Sequence, residues 1–253
     1  MYDKFKPAII GGTGLEILNI FSGFEETAVN TPYGEPSGKL ITGLYGGIEV
    51  MILSRHGRQH TIPPTQVNNR ANIWALKEAG CTHIMASAAC GSLRQHIRTG
   101  DLVFPDQFID FTRFRINTFF DKFEPGQLKH TAMPDPFDKS LRLFMIQAAR
   151  ELKIPLHETG TIITIEGPRF STRAESIMFQ SWGADIINMT IAPEAILANE
   201  VGIPYAVAAL STDYDAWHDD ERPVNWMDIL QVFQDNVKHV TNMFVKVLET
   251  MGA

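Results

Sequence analysis

The sequence predicts an α/β fold in which helices flank a central, mixed β-sheet. Short apolar runs rich in Ile, Val and Ala alternate with longer segments of helical period, the pattern of strands and helices packed in layers. With 253 residues, 44% of them hydrophobic, the chain is long enough to fill one large core. Neither internal repeats nor low-complexity linkers divide it, so residues 1–253 are expected to form a single domain.

Pro7 to Ile10 reads as a first buried strand that breaks at Gly11-Gly12. Leu40 to Leu44 and Ile48 to Leu53, joined through Gly46-Gly47, form a predicted hairpin, because paired glycines tolerate the positive φ of tight turns. Val67 to Ala79 has helical period, with Ile73, Leu76 and Ala79 inward and Gly80 as its stop. Strands follow at His83 to Ala88 and Asp101 to Asp110, and a helix at Phe137 to Leu152 through Leu141, Phe144, Met145 and Ala148. The next strand, Gly160 to Ile165, ends at Glu166-Gly167-Pro168. Thr172 and Glu175 have the spacing of a capping box, opening a helix that Gly183 ends. Strand Asp185 to Met189, helix Pro193 to Val201, strand Tyr205 to Leu210 and a final helix within Trp226 to Leu248 complete the chain. Phe111 to Pro136, aromatic, charged and interrupted by Pro125-Gly126, is expected to be irregular; such long segments are usually functional or lie at an interface.

The net charge of -7 opposes non-specific attraction to nucleic acid or anionic membranes, so an anion site must be a local exception. One such exception is the run Ser54 to His60. No basic leader precedes an apolar run, and no apolar stretch is long enough to span a bilayer, so a soluble, cytoplasmic protein is expected. Cys81 and Cys90 suit a reducing compartment and lack metal-ligand spacing with the histidines.

Residues with useful chemistry gather at predicted strand ends, where open α/β sheets place ligands. Asp213 and Asp215 stand two apart just after an apolar run, and alternate residues of an extended segment point the same way. Two acids sharing a small, partly dry site cannot both ionise cheaply, so one of them can donate a proton while the pair accepts hydrogen bonds from an exocyclic amine. The plainer alternative is a strand end whose aspartates begin a turn. Gly11-Gly12-Thr13-Gly14 can bring backbone N–H groups and a hydroxyl to an anion, yet it lacks the lysine of a P-loop and the spacing of a dinucleotide turn. Within Ser54 to His60, two guanidinium forks suit phosphate and a neighbouring histidine adds a switchable donor; a solvated basic loop is the alternative. His56 and His60 would meet as metal ligands only on a helix, which Gly57 opposes, and no metal is expected. The small residues Ala88-Ala89-Cys90-Gly91 admit a ligand close to the main chain, with Cys90 a packing residue rather than a nucleophile. Glu166 offers a carboxylate and Phe170 a face on which a flat base stacks; Met189 is core-like with one edge at the ligand, and Thr190 is a hydroxyl donor.

In this order, the blocks Ile9 to Leu15, Ser54 to Thr61, Ala71 to Glu78, Ile165 to Ser171, Ile187 to Thr190 and Thr212 to Asp215 are specific as a set. Through them almost the whole chain resembles the S-methyl-5'-thioadenosine phosphorylase family of the trimeric purine nucleoside phosphorylase superfamily. The resemblance implies a nucleoside phosphorylase-like fold and phosphorolysis of S-methyl-5'-thioadenosine to adenine and 5-methylthioribose 1-phosphate. Phosphate is then a co-substrate, and neither metal nor organic cofactor is needed. It implies that Thr13, Arg55, His56, Thr190 and the backbone near Ala89 hold phosphate. Phe170 then lies against the base and Met189 beneath the sugar, with His60 also at the substrate and Ile229 and Leu230 lining the apolar end. Asp213 faces N7 as the acid and Asp215 supports the 6-amino edge; members that prefer 6-oxopurines carry asparagine at the position of Asp213. His130 resembles a histidine that a neighbouring subunit lends, which implies a homotrimer. The chain departs from animal members at Ala88, where they carry threonine, at Trp226, where a smaller aliphatic residue is usual, and in ending at Ala253 before their C-terminal extension. Rival readings are a purine nucleoside phosphorylase acting on adenosine or 6-oxopurine nucleosides, a water-using nucleosidase, and a noncatalytic purine-binding protein.

Overall fold

A computed structural model describes residues 5–12, 21, 23–218 and 225–252. Strand β1 (Pro7–Gly11) is buried along its whole length and lies parallel to a neighbour on each side, as an uninterrupted apolar run requires. Its neighbours are β4 (Ile48–Ser54) and β5 (His83–Ser92). β4 forms the expected hairpin with β3 (Leu40–Tyr45) across Gly46 and Gly47, both at positive φ. β3 carries an edge strand that the sequence did not announce, β2 (Phe24–Thr27), whose four residues are all exposed and show no alternation.

The single strand expected over Asp101 to Asp110 is two. Pro105 has no N–H to give to a ladder, and β6 (Leu102–Val103) and β7 (Gln107–Phe111) separate there to join different neighbours. β6 pairs with β8 (Leu156–His157) and with β11 (Tyr205–Tyr214), whereas β7 pairs with β9 (Thr161–Ile165). β9 lies parallel to β10 (Ile186–Asn188).

Helix α1 (Asn69–Glu78) starts two residues after its apolar period, because the Asn68 side chain accepts from the Ala71 N–H and caps it. Asp138 caps α2 (Lys139–Glu151) in the same way. α3 (Arg173–Ser181) opens on the predicted capping box: Thr172 Oγ1 accepts from the Glu175 N–H at 3.2 Å, and Glu175 Oε2 from the Thr172 N–H at 2.8 Å. α4 (Ile191–Glu200) begins two residues before the expected Pro193, which falls in the first turn, where a missing N–H costs little. α5 (Trp226–Gly252) follows the last strand. Apolar residues of α1 and α4 pack with one face of the sheet, those of α2 and α5 with the other, and α3 covers β9 and β10. Of the segment expected to be irregular, Phe111 ends β7, and residues 112–136 contain neither helix nor strand.

β5 and β11 both run further than expected, to Ser92 and Tyr214, and pair in parallel almost throughout. On the opposite edge of β5, β1 reaches only to Ala86, and β10 arrives antiparallel at Gly91. Ser87 to Cys90 therefore have no ladder partner on that edge. The sheet is interrupted in its middle, at the carboxyl ends of β1, β9, β10 and β11.

Candidate active site

That interruption opens a cavity of about 380 Å³, floored by Ala88, Ala89, Cys90 and Gly91. Arg55, His56 and His60, on the turn after β4, form one wall together with Gly12 from the end of β1. Phe170 and Ser171 enter from the loop after β9, Met189 and Thr190 from the end of β10, and Asp213 and Asp215 from the end of β11. Trp226, Ile229 and Leu230, from the first turns of α5, close the apolar end. The cavity thus gathers most of the residues singled out in the sequence. Thr13 lies outside the described residues. His130 is exposed on the 112–136 segment, its ring against Phe123 with centroids 5.7 Å apart, and does not line this cavity.

Arg55 is only 1% exposed. Its Nε and Nη2 donate to Glu194 Oε1 and Oε2 at 2.5 and 2.9 Å, and Nη1 donates to the Ser87 carbonyl on the open edge of β5 at 2.8 Å. Burial opposes the guanidinium charge, but Glu194 outweighs it and raises the Arg55 pKa. The Tyr205 hydroxyl donates to Glu194 Oε2 at 2.8 Å, so the buried carboxylate is held from two sides. Sequence reading missed Glu194; its signal was a single carboxylate among the buried apolar residues of α4. Arg58 turns away to an exposed pair with Glu26 at 2.6 Å, so the cavity receives one guanidinium from this run and not two.

The expected switchable histidine is corrected. Burial first, and then the charge of Arg55, hold His56 at about 4, so it is neutral near neutral pH. His60 is lowered for the same two reasons. The two rings also meet without a helix, 4.5 Å apart across the turn, and His60 stacks on Trp226 at 5.4 Å. Among the described residues no three metal-ligating side chains cluster.

Further along β5, Asp213 and Asp215 flank Gly91. A Cβ added there would lie 3.2 Å from Asp213 Oδ2 and 3.4 Å from Asp215 Cβ, so a side chain at residue 91 would crowd the space the two acids share. A bulge at Thr212 sets their direction: Ser211 is opposite Cys90 and Asp213 opposite Gly91, leaving Thr212 as the extra residue. Thr212 Oγ1 is 2.8 Å from Asp213 Oδ1 and 3.2 Å from the Cys90 carbonyl. Asp215 is buried and accepts from Ser171 Oγ at 2.5 Å. Burial, and then the charge of Asp213, push the Cys90 thiol well up, consistent with a packing role. Gly167, at φ +67°, brings the chain against Met189, whose Sδ would be 2.5 Å from a Cβ at that position. Glu166 does not serve the cavity. Arg115 Nε at 2.9 Å and the N–H groups of Arg113 and Phe114 tie off its carboxylate. Burial raises its pKa, and those bonds outweigh burial and lower it.

One cavity at the ends of several strands, lined by a buried arginine and two carboxylates, marks an α/β protein with a polar ligand pocket where open sheets place one. The family model described as the phosphorylase superfamily matches residues 6–249. S-methyl-5'-thioadenosine phosphorylase of Drosophila pseudoobscura pseudoobscura is 50% identical over 242 residues, 95% of this chain and 84% of that protein. The solved structure of methylthioadenosine phosphorylase from Schistosoma mansoni in complex with adenine has a TM-score of 0.92 at 41% identity, covering 98% of this chain and 92% of that one. A variant of adenosine/methylthioadenosine phosphorylase from the same organism, in complex with methylthioadenosine, has a TM-score of 0.90 at 41% identity, covering 99% and 93%. The chain belongs to the S-methyl-5'-thioadenosine phosphorylase family of the phosphorylase superfamily.

Proposed function

We propose that the protein cleaves S-methyl-5'-thioadenosine with phosphate, releasing adenine and 5-methylthioribose 1-phosphate. The observation that carries this reading is that Arg55, held on the Ser87 carbonyl, and the Asp213–Asp215 pair, set against Gly91 further along β5, line one cavity. Phosphate lies against Arg55, His56, Thr190 and the free edge of β5 near Ala89, with Thr13 completing the cradle. Adenine lies by Phe170 and the two aspartates, and the sugar lies over Met189. A phosphate oxygen forms the new bond to C1' as the C1'–N9 bond breaks and its electron pair passes to the purine. Asp213 delivers a proton to N7, so the base leaves neutral, and Asp215, braced by Ser171, accepts from the 6-amino group. The anion beneath the sugar stabilises the positive charge that grows at C1'. Nothing in this step needs a metal or an organic cofactor.

The apolar end formed by Trp226, Ile229 and Leu230 suits a methylthio group. His60 at the same end favours a second reading, because an imidazole can hydrogen-bond a 5'-hydroxyl, and one similar structure is an adenosine/methylthioadenosine phosphorylase. The protein acts in this reading as one domain over residues 1–253, in the cytoplasm, where the free thiols of Cys81 and Cys90 are at home. It assembles as a homotrimer, each subunit lending His130 to a neighbour. Apolar side chains left exposed at Phe114, Ile116, Leu128, Ile177 and Trp182 support an interface there. No helix among the described residues is long and apolar enough to cross a membrane. Specificity constants for S-methyl-5'-thioadenosine, adenosine, methylthioinosine and inosine, read as free base released, test the proposal. S-methyl-5'-thioadenosine should lead; equality with adenosine would favour the second reading, and a preference for either inosine would refute the role of Asp213.

A further inference from the structure

We propose that His56 selects among oxyanions: its Nε2 accepts the hydrogen of a hydrogen-bearing anion such as phosphate or arsenate, and the pocket thereby discriminates against sulfate. The inference rests on the phosphorolytic reading and specifies how its anion is chosen.

The tautomer of His56 is set by its surroundings. Nδ1 is 2.8 Å from the Ile62 carbonyl oxygen, which can only accept, so Nδ1 carries the ring hydrogen. The Ile62 N–H returns a bond to the His56 carbonyl at 3.1 Å, and this reciprocal pair closes the turn and fixes the ring. Nε2 is left with a lone pair and, among the described residues, no protein partner. A second proton is disfavoured, because the ring is buried and the guanidinium groups of Arg55 and Arg115 act on it. Facing the cavity, His56 is an acceptor and not a cationic donor.

The other half of the argument is Arg55. Its two bonds to Glu194 offset its charge within the protein, so the anion end has little surplus positive charge to hold any anion regardless of its hydrogens. Selectivity then falls to directional hydrogen bonds. Phosphate and arsenate keep at least one hydroxyl near neutral pH and can donate it to Nε2. Sulfate has none, and it would set an oxygen lone pair against the nitrogen lone pair, which costs about tenfold or more in affinity when both are buried.

Dissociation constants of the full-length protein for phosphate and for sulfate, by titration calorimetry near neutral pH, test the inference, together with the same pair for His56→Gln, whose amide offers donor or acceptor by rotation. Sulfate is expected to bind wild type at least about tenfold more weakly than phosphate, and the ratio to fall to within about threefold in His56→Gln. Wild type binding sulfate within about threefold of phosphate would overturn the proposal, and so would a variant that weakens both anions by one factor while keeping their ratio. The wild-type comparison decides even where the variant does not fold. Phosphate binding without selectivity removes only the role of His56. Failure to bind phosphate at all removes the phosphorolytic reading as well.

Discussion

Replacing Glu194 by glutamine should destabilise the protein sharply and make it depend on phosphate. Arg55 and Glu194 each have side chains 1% exposed, and the carboxylate takes two guanidinium bonds and one from Tyr205. The amide keeps the shape of Glu194 but not its charge, and its NH2 group confronts a donor. Removing one member of such a buried pair costs about 3–5 kcal/mol. For a chain of this length each kcal/mol moves Tm by roughly 2–4 °C, so a fall of about 6–20 °C is expected. The uncompensated Arg55 charge faces the cavity, so phosphate should stabilise the variant more than the wild type by mass action. Thermal melts of both proteins, with and without saturating phosphate, read the effect. A Tm loss under about 2 °C, or equal phosphate increments in the two proteins, would refute the role given to the pair.

Asp213→Asn should lower kcat/KM for adenine nucleosides by roughly 10² to 10⁴ while improving the relative use of 6-oxopurine nucleosides; unchanged rates in a base-release assay would contradict it. His56 is held at about 4 in the folded chain against an ordinary 6.5, so the unfolded chain takes up its proton first as pH falls. Its neutral form therefore stabilises the fold fully above pH 6.5, and up to about 3 kcal/mol is lost between there and pH 4. Urea midpoints across that range should show the fall, and His56→Gln should reduce it, leaving the smaller share of His60 and His83. Burial pushes Cys81 up to about 12 and Cys90 well up, so iodoacetamide near neutral pH should leave both thiols unmodified until the chain is unfolded.

Where local chemistry alone decides an element, the sequence announced it. The unbroken apolar run of β1, the paired glycines between β3 and β4, and the Thr172–Glu175 box each act over a few residues. β2 was silent because an exposed edge strand has no buried face to show as alternation. The last residues of β5 and β11 are small or polar, and they are strands because they pair with each other across the sequence. The same division runs through the site. Arg55, Asp213 and Asp215 could be found at strand ends, since position along the chain implied position in space. Arg58 and Glu166 could not be excluded, because the partners that divert them, Glu26 and Arg115, lie 32 and 51 residues away. The charge state of His56 depends on burial and on the carbonyl of Ile62, neither of which residue type reveals.

Release of adenine from S-methyl-5'-thioadenosine, followed with and without phosphate, asks most directly whether the Arg55 wall and the acid pair serve one reaction. Cleavage should require phosphate and yield one 5-methylthioribose 1-phosphate for each adenine. An unchanged rate in its absence, with free 5-methylthioribose as the sugar product, would contradict phosphorolysis and assign the cavity to a reaction with water.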